Sequence, residues 1–333
     1  MVTGKALKFH SASETMDGGA PPVGGRRPLP VADEGRKAAH QARDERKHSA
    51  ARVRSAVGCG AWRKGMQILV PFPPFPIGSD CNCKGVRHIV KIWYLYHSGF
   101  AVQTSGHFFV FDYWRDAPKG AGLDRGVVDP AAIRDQNVVV FVSHGHPDHF
   151  NRKVFEWKQT IPGVRFILSD DMRPYDGAFM TGPGNKLDFP DFSVETLASN
   201  DEGVAFIVSA DDLRIFHAGD LNWWHWEGEP DEDNDWMASS FKTEIDKLSK
   251  APDGSTLPAV DLAFIPVDPR LEMQYAWAID HLMRTTDVKY VVPMHFGNDT
   301  SIVARLLTDP VSQGYRDRIL GFTKRGEMRE IQI

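Results

Sequence analysis

The sequence is poor in cysteine, with three in 333 residues, Cys59, Cys81 and Cys83, all ahead of residue 90. The long remainder therefore folds without disulfides, needs no oxidising compartment, and can hold a metal only through nitrogen and oxygen donors. It also lacks any run near the roughly 20 apolar residues that a membrane span requires, and its first residues lack the apolar stretch of a secretory signal. These absences predict a soluble, cytoplasmic protein with no membrane partner. Positive charge is scarce where a nucleic-acid surface would need it. Residues 1–66 hold 13 Lys/Arg against 6 Asp/Glu, a net +7, so residues 67–333 carry −12 within an overall charge of −5. An acidic body of that kind argues against nucleic acid as the partner and leaves a small molecule, with a homo-oligomer as an open option.

Residues 1–65 lack strand-like alternation as well. They are rich in Gly, Ala, Arg, Pro and Ser and cannot bury enough apolar area to offset chain entropy. The following "ILVPFPPFPIG" has four prolines, which exclude a helix and favour an extended polyproline-like path. Residues 1–88 are thus expected to be a disordered, low-complexity N-terminal segment. Its Arg-rich stretch suggests a transit peptide, against which Asp44 and Glu45 argue. The abrupt change near Val90 raises a mis-assigned start, with Met66 as an alternative. Cys81 and Cys83 have no second cysteine pair beside them to complete a metal site.

What is present begins at Val90, where a chain that is 42% apolar and 11% aromatic overall turns into regular structure. "VKIWYLY", "FAVQT" and "HFFVFDYW" read as successive strands, with a tight Ser-Gly turn between the last two. Strands follow at Val138–Val142 and Arg165–Leu168, and then at "FSVETLA", "VAFIVSA", "LRIFHAG", "VDLAFIPV" and "YVVPMHF". Helices are expected from about Phe150, over Trp236–Lys250 and over Tyr275–Thr285, and the run "EGEPDEDND" as a solvated acidic loop. Strands interleaved with helices predict a layered α/β (α+β) domain over residues 90–333.

Residues 143–150 read "SHGHPDHF". Three histidines and an aspartate within six positions, on a loop after the strand "NVVVFV", can converge as a straight helix or strand would not allow, and convergence is what a metal requires. At the chain's own frequency of 13 histidines in 333 residues, chance predicts roughly 0.003 such matches. Two further strands end in ligand-type residues: "RIFHAGDLN", with Asp220, and "YVVPMHFGND", with His295.

This pattern resembles the H-x-H-x-D-H signature of the metallo-β-lactamase superfamily, with "HAGD" and "PMHFG" in the order of its later ligands. The opening "YLYHSGFAVQTSGHFFVFDYW" is similar to the first hairpin of the branch related to L-ascorbate-6-phosphate lactonase. The resemblance implies an αββα sandwich with a centre of two divalent metal ions, zinc by default, at one edge of its sheets. It assigns His144 and His146 to one site and Asp148, His149 and His295 to the other, with Asp220 bridging. The histidine that the family supplies before the bridging aspartate is missing from "TLASNDEGVAF". Asp201 is the best chemical substitute there, and an oxygen-richer first site would tilt the metal toward manganese or iron. A cap on the turn is the alternative role for Asp201.

His97 is a candidate to orient a ligand or the substrate, or else a structural histidine. Asp112 is a candidate acceptor that fixes a ligating ring. Trp223 and Trp224 are candidate walls of a substrate pocket, His225 a proton donor, and Asp148 a catalytic proton acceptor. The activity implied is metal-dependent hydrolysis of a small ester, lactone or phosphorylated substrate. A phosphodiesterase or nuclease is the second reading, and a non-catalytic metal-binding module that keeps the fold is the third.

Overall fold

The computed structural model describes residues 88–333. The expectations for the N-terminal segment and the three cysteines lie outside this range. Strand β1 (Ile89–Tyr96) pairs antiparallel with β2 (Gly99–Gln103), which turns into β3 (Phe108–Phe111). Strands β4 (Val138–Val142), β5 (Arg165–Ser169) and β6 (Ala178–Thr181) then add in parallel. The last strand, β13 (Met328–Gln332), closes the other edge against β1, giving the order β13-β1-β2-β3-β4-β5-β6.

The second sheet begins as an antiparallel meander of β7 (Lys186–Asp188), β8 (Phe192–Ala198), β9 (Val204–Ala210) and β10 (Leu213–His217). It continues with β11 (Val260–Pro266) and β12 (Val288–Met294) parallel to β10. Helix α1 (Asp231–Asp246) lies in the first of these two crossovers and α2 (Trp277–Thr285) in the second, while α3 (Ser301–Thr308) follows β12.

The sheets meet through aromatic rings. Phe100 and Phe111 of the first reach Phe264 of the second at centroid distances of 4.8 and 6.1 Å, and Phe141 reaches Phe206 at 5.2 Å. In β4, Val139 and Phe141 face this core, whereas Val138, Val140 and Val142 join a second core with Val154, Phe155 and Trp157. Both faces of β4 are covered, which is why its sequence is continuously apolar instead of alternating. Each such side chain contributes roughly 1.5–3 kcal/mol on burial. Phe241, Ile245, Ile279, Leu282 and Leu306 on the three helices cover the second sheet, and the whole is an αββα sandwich.

Three details correct the expectation. The segment expected as a helix from Phe150 is a run of 3-10 turns, Arg152–Gln159, started by Asn151 accepting from the Lys153 N–H at 3.0 Å. A three-residue repeat puts Val154 and Trp157 on one buried side. The acidic run is largely not a loop, because Asp231, Glu232 and Asp233 form the first turn of α1 after Pro230. Carboxylates there complement the positive end of the helix dipole. Strands β6, β7 and β13 and helix α3 were not expected.

Candidate metal centre

Six strand ends converge at one edge of the sandwich. After β3 the chain passes through Asp112, a non-glycine residue at φ 45° whose side chain is fully buried. One of its oxygens accepts the Ser143 N–H at 2.8 Å. The other accepts the Ser143 hydroxyl at 2.7 Å and pairs with His149 Nδ1 at 2.8 Å. Ser143 Oγ also lies 3.0 Å from His144 Nδ1. Asp112 thus organises both ends of the histidine loop. Burial, the largest single influence, would raise its pKa, but the hydrogen bond from His149 together with the charges of His149, His217 and His144 outweighs this and holds the carboxyl below its ordinary value.

The β1–β2 turn brings in His97 at φ 59°, its N–H donating to the Tyr94 hydroxyl at 2.9 Å, while that hydroxyl donates to the Gly297 carbonyl at 2.7 Å. Gly99 beside it is obligatory: a Cβ there would lie 2.8 Å from the Asp112 carbonyl oxygen. His295 leaves β12 at φ 67°, and its Nδ1 pairs with Asp268, just past β11, at 3.0 Å. Three non-glycine residues in the left-handed region around one point are a concentration of backbone strain that surrounding contacts must maintain.

The ligand-type atoms form two trios: His144, His146 and Asp220, and His97, His149 and His295. Asp220, just past β10, links them. Its Oδ2 is 3.5 Å from His144 Nε2, and its Oδ1 is 3.2 Å from His149 Nε2 and 3.3 Å from His295 Nε2. His146 Nδ1 is 3.1 Å from His144 Nε2, and its other nitrogen, Nε2, faces Glu202 at 3.2 Å. Every inward-facing ring is therefore held from behind by a carboxylate or hydroxyl, except His97, whose backbone is held instead. Among these inward atoms His97 Nε2, His149 Nε2 and Asp220 Oδ1 are buried without a hydrogen-bond partner. Buried polar atoms left so are costly. A divalent cation satisfies all three, and imidazole with carboxylate is a donor set suited to one.

The charges agree. Burial, followed by the neighbouring histidines, lowers His97 to about 3, and burial with His149 lowers His144 to about 4, so both rings offer lone pairs at neutral pH. Burial works against protonating His295, but Asp220 and then Asp268 outweigh it and raise the ring to about 10. For Asp220 the burial penalty is overcome by His149 and His295, which hold it well below the carboxylate range. The pocket is electrostatically built for positive charge.

Not every expected residue joins the trios. Asp148 stands at the rim with 51% of its side chain exposed, 3.5 Å from His97 Nε2. Asp201 lies outside both trios, on the β8–β9 turn, with its N–H on Ser199 Oγ at 3.1 Å. Its carboxyl keeps access to solvent, yet partial desolvation in this crowded turn, and then the Asp220 charge, raise its pKa to about 6. Trp224 is buried beside the centre, meeting His295 edge-on at 5.5 Å and donating from Nε1 to the Asp220 carbonyl at 3.1 Å. Trp223 and His225 point elsewhere and correct the expectation: both pack on Trp277 of α2, at 5.2 and 4.9 Å. Sequence reasoning missed Asp268 and Glu202. Asp268 had a signal, a carboxylate just past an apolar strand, the same placement as Asp220.

Residues 91–225 match the family described as a beta-lactamase superfamily domain. No curated protein matches the chain. Similar solved structures include Igni18, a novel metallo hydrolase from the hyperthermophilic archaeon Ignicoccus hospitalis, at 17% identity over 74% of this chain and 99% of that one, TM-score 0.50. CmlA, a diiron β-hydroxylase from Streptomyces venezuelae, is 12% identical over 74% and 54%, TM-score 0.47. The metallo-β-lactamase fold protein YhfI from Bacillus subtilis is 11% identical over 73% and 100%, TM-score 0.44. At these identities the likeness concerns the fold alone, and the sandwich is of the metallo-β-lactamase type.

Proposed function

We propose that this protein is a metal-dependent hydrolase acting on a small ester, lactone or phosphorylated substrate. The observation that carries the reading is the pair of ligand trios linked by Asp220, with three buried polar atoms unsatisfied at their centre. In this reading His144, His146 and Asp220 hold one divalent ion and His97, His149 and His295 a second. A bound divalent ion supplies a Lewis acid and acidifies water from a pKa of 15.7 toward roughly 7.

The protein's own groups do the rest. Asp112, Asp268, Glu202 and Ser143 fix the orientation of the ligand rings, and Trp224 excludes water on the His295 side. Asp148, solvent-exposed beside His97, accepts the proton released during hydrolysis and passes it to bulk. Asp201 is the further carboxylate of the first site, in place of the histidine absent from "TLASNDEGVAF". Supporting this, its turn is pressed on the histidine loop: a Cβ at Gly203 would lie 2.0 Å from the Ser143 carbonyl oxygen and 2.7 Å from His144 Cβ. An oxygen-rich first site favours manganese or iron over zinc there.

The test is metal content per chain together with hydrolysis of an ester, lactone and phosphodiester panel. His146→Ala and Asp220→Ala are expected to lose metal-dependent turnover by at least about a hundredfold, and Asp201→Ala to lose one ion. Turnover unchanged in both of the first two variants overturns the hydrolase reading.

A further inference from the structure

The rim of the centre carries a cation that the steps above do not use. The Asp268 carboxylate that pairs with His295 Nδ1 also accepts Arg270 Nε at 2.9 Å and Arg270 Nη2. The Arg270 guanidinium lies 5.7 Å from the ring of Trp226, which stacks on Trp224 at 5.8 Å, and Trp224 meets His295 at 5.5 Å. Arg270, Trp226, Trp224, His295 and Asp268 therefore close a ring of contacts on one wall of the centre. The hydrogen bond to Asp268 chiefly, and then the fields of Asp220 and Asp148, keep Arg270 charged.

An arginine needed only to steady Asp268 would do so with one edge. Here the other edge is open: 61% of the side chain is exposed and the bonds to Asp268 use Nε and Nη2, not Nη1. Asp148, Asp201 and Glu202, near the same centre, would repel an anion, so Arg270 sets where one can lie. A fixed guanidinium fork is the side chain best matched to carboxylate or phosphate oxygens. We propose that Arg270 determines specificity by binding a terminal anionic oxygen group, carboxylate or phosphate, on a substrate whose apolar middle lies along the partly exposed Trp226. The proposal rests on the metal-hydrolase reading, since it places the other end of the substrate at the metal centre.

Binding calorimetry on the full-length, manganese-loaded protein separates the two. The ligands are heptanoate, pimelate and 6-phosphonohexanoate, which share one carboxylate and one spacer and differ only at the far end. Wild type is expected to bind at least one of the doubly charged ligands about tenfold tighter than heptanoate, the worth of one charge-assisted contact. The tighter of the two identifies carboxylate or phosphate. Arg270→Gln should abolish the preference and Arg270→Lys retain part of it. Because Arg270 also touches Asp268, a common weakening of all three ligands in the variants is read apart from the preference, which a purely structural role would not move. Equal binding of all three ligands by wild type, or a preference that survives Arg270→Gln, overturns the role of Arg270 and leaves the hydrolase reading standing. Failure of wild type to take up metal or bind any ligand overturns both.

Discussion

Single side chains decide this centre because every ligand ring but that of His97 depends on one partner behind it. Asp112 has the most to hold, with the Ser143 N–H, the Ser143 hydroxyl and His149 Nδ1 all directed at it. Asp112→Asn replaces one acceptor oxygen by a donor and sets N–H against N–H or O–H. Metal affinity should fall about 10–100-fold in a chelator competition, with the far-ultraviolet circular dichroism unchanged. An unaltered affinity would detach Asp112 from ligand positioning. At this scale the sequence was informative where chemistry clusters locally. The spacing of His144, His146, Asp148 and His149 is readable because one loop carries them all. Asp268 and Glu202 act through space on His295 and His146: the place of Asp268 just past an apolar strand marks it as a candidate without telling which ring it faces, and Glu202 has no such mark. Trp223 and His225 misled for the opposite reason, since nearness in sequence to Asp220 does not settle which way consecutive side chains point.

Whole elements are placed against the centre by close backbone approach. The β8–β9 turn reaches the histidine loop through Gly203, at φ 68°, whose amide neighbour Val204 donates to the Ser143 carbonyl at 3.0 Å. Gly203→Ala puts a Cβ where that carbonyl already lies and forces a strained φ. A loss of about 3 kcal/mol in denaturant unfolding is expected, with weakened metal uptake as the turn moves off His144. Stability within about 0.5 kcal/mol of wild type would show that the turn yields freely. The inner strands were legible because two-sided burial writes itself as unbroken apolar runs such as "VVVFV". The edge strands β6, β7 and β13 have exposed or half-buried residues on both faces and so no such run. The start of α1 was hidden for another reason, because an acidic first turn reads as a solvated loop unless the helix after Pro230 is already known.

Across the whole molecule the two sheets are joined by polar contacts at the end away from the histidine loop. Buried His107 lies between Asp191 at 3.1 Å and Asp211 at 3.0 Å, and Arg165 of β5 pairs with Asp191, which also accepts from Asn137 at 2.8 Å. Chiefly through Arg165, the Asp191 carboxyl is held far below its ordinary pKa. A carboxylate with a depressed pKa in the folded state contributes stability that is full above its unfolded value, about 3.9, and that fades as pH falls through the lower folded value. The stability gap between wild type and Asp191→Asn should therefore be constant from pH 7 to about pH 5 and shrink below about pH 4. Urea titrations at several pH values measure it, and a gap independent of pH would mean that the ion pair contributes nothing. The pairing of β13 with β1 has a different kind of consequence. His88 and Ile333 exchange backbone hydrogen bonds at 2.9 and 3.0 Å, so the outer edge of the first strand is completed by residues from the far end of the sequence. During synthesis β1 leaves the ribosome with that edge unpaired and keeps it so while every other strand is made. Until Met328–Gln332 is made and pairs, the nascent domain offers a bare strand edge to its neighbours, and that interval is its period of greatest exposure to aggregation.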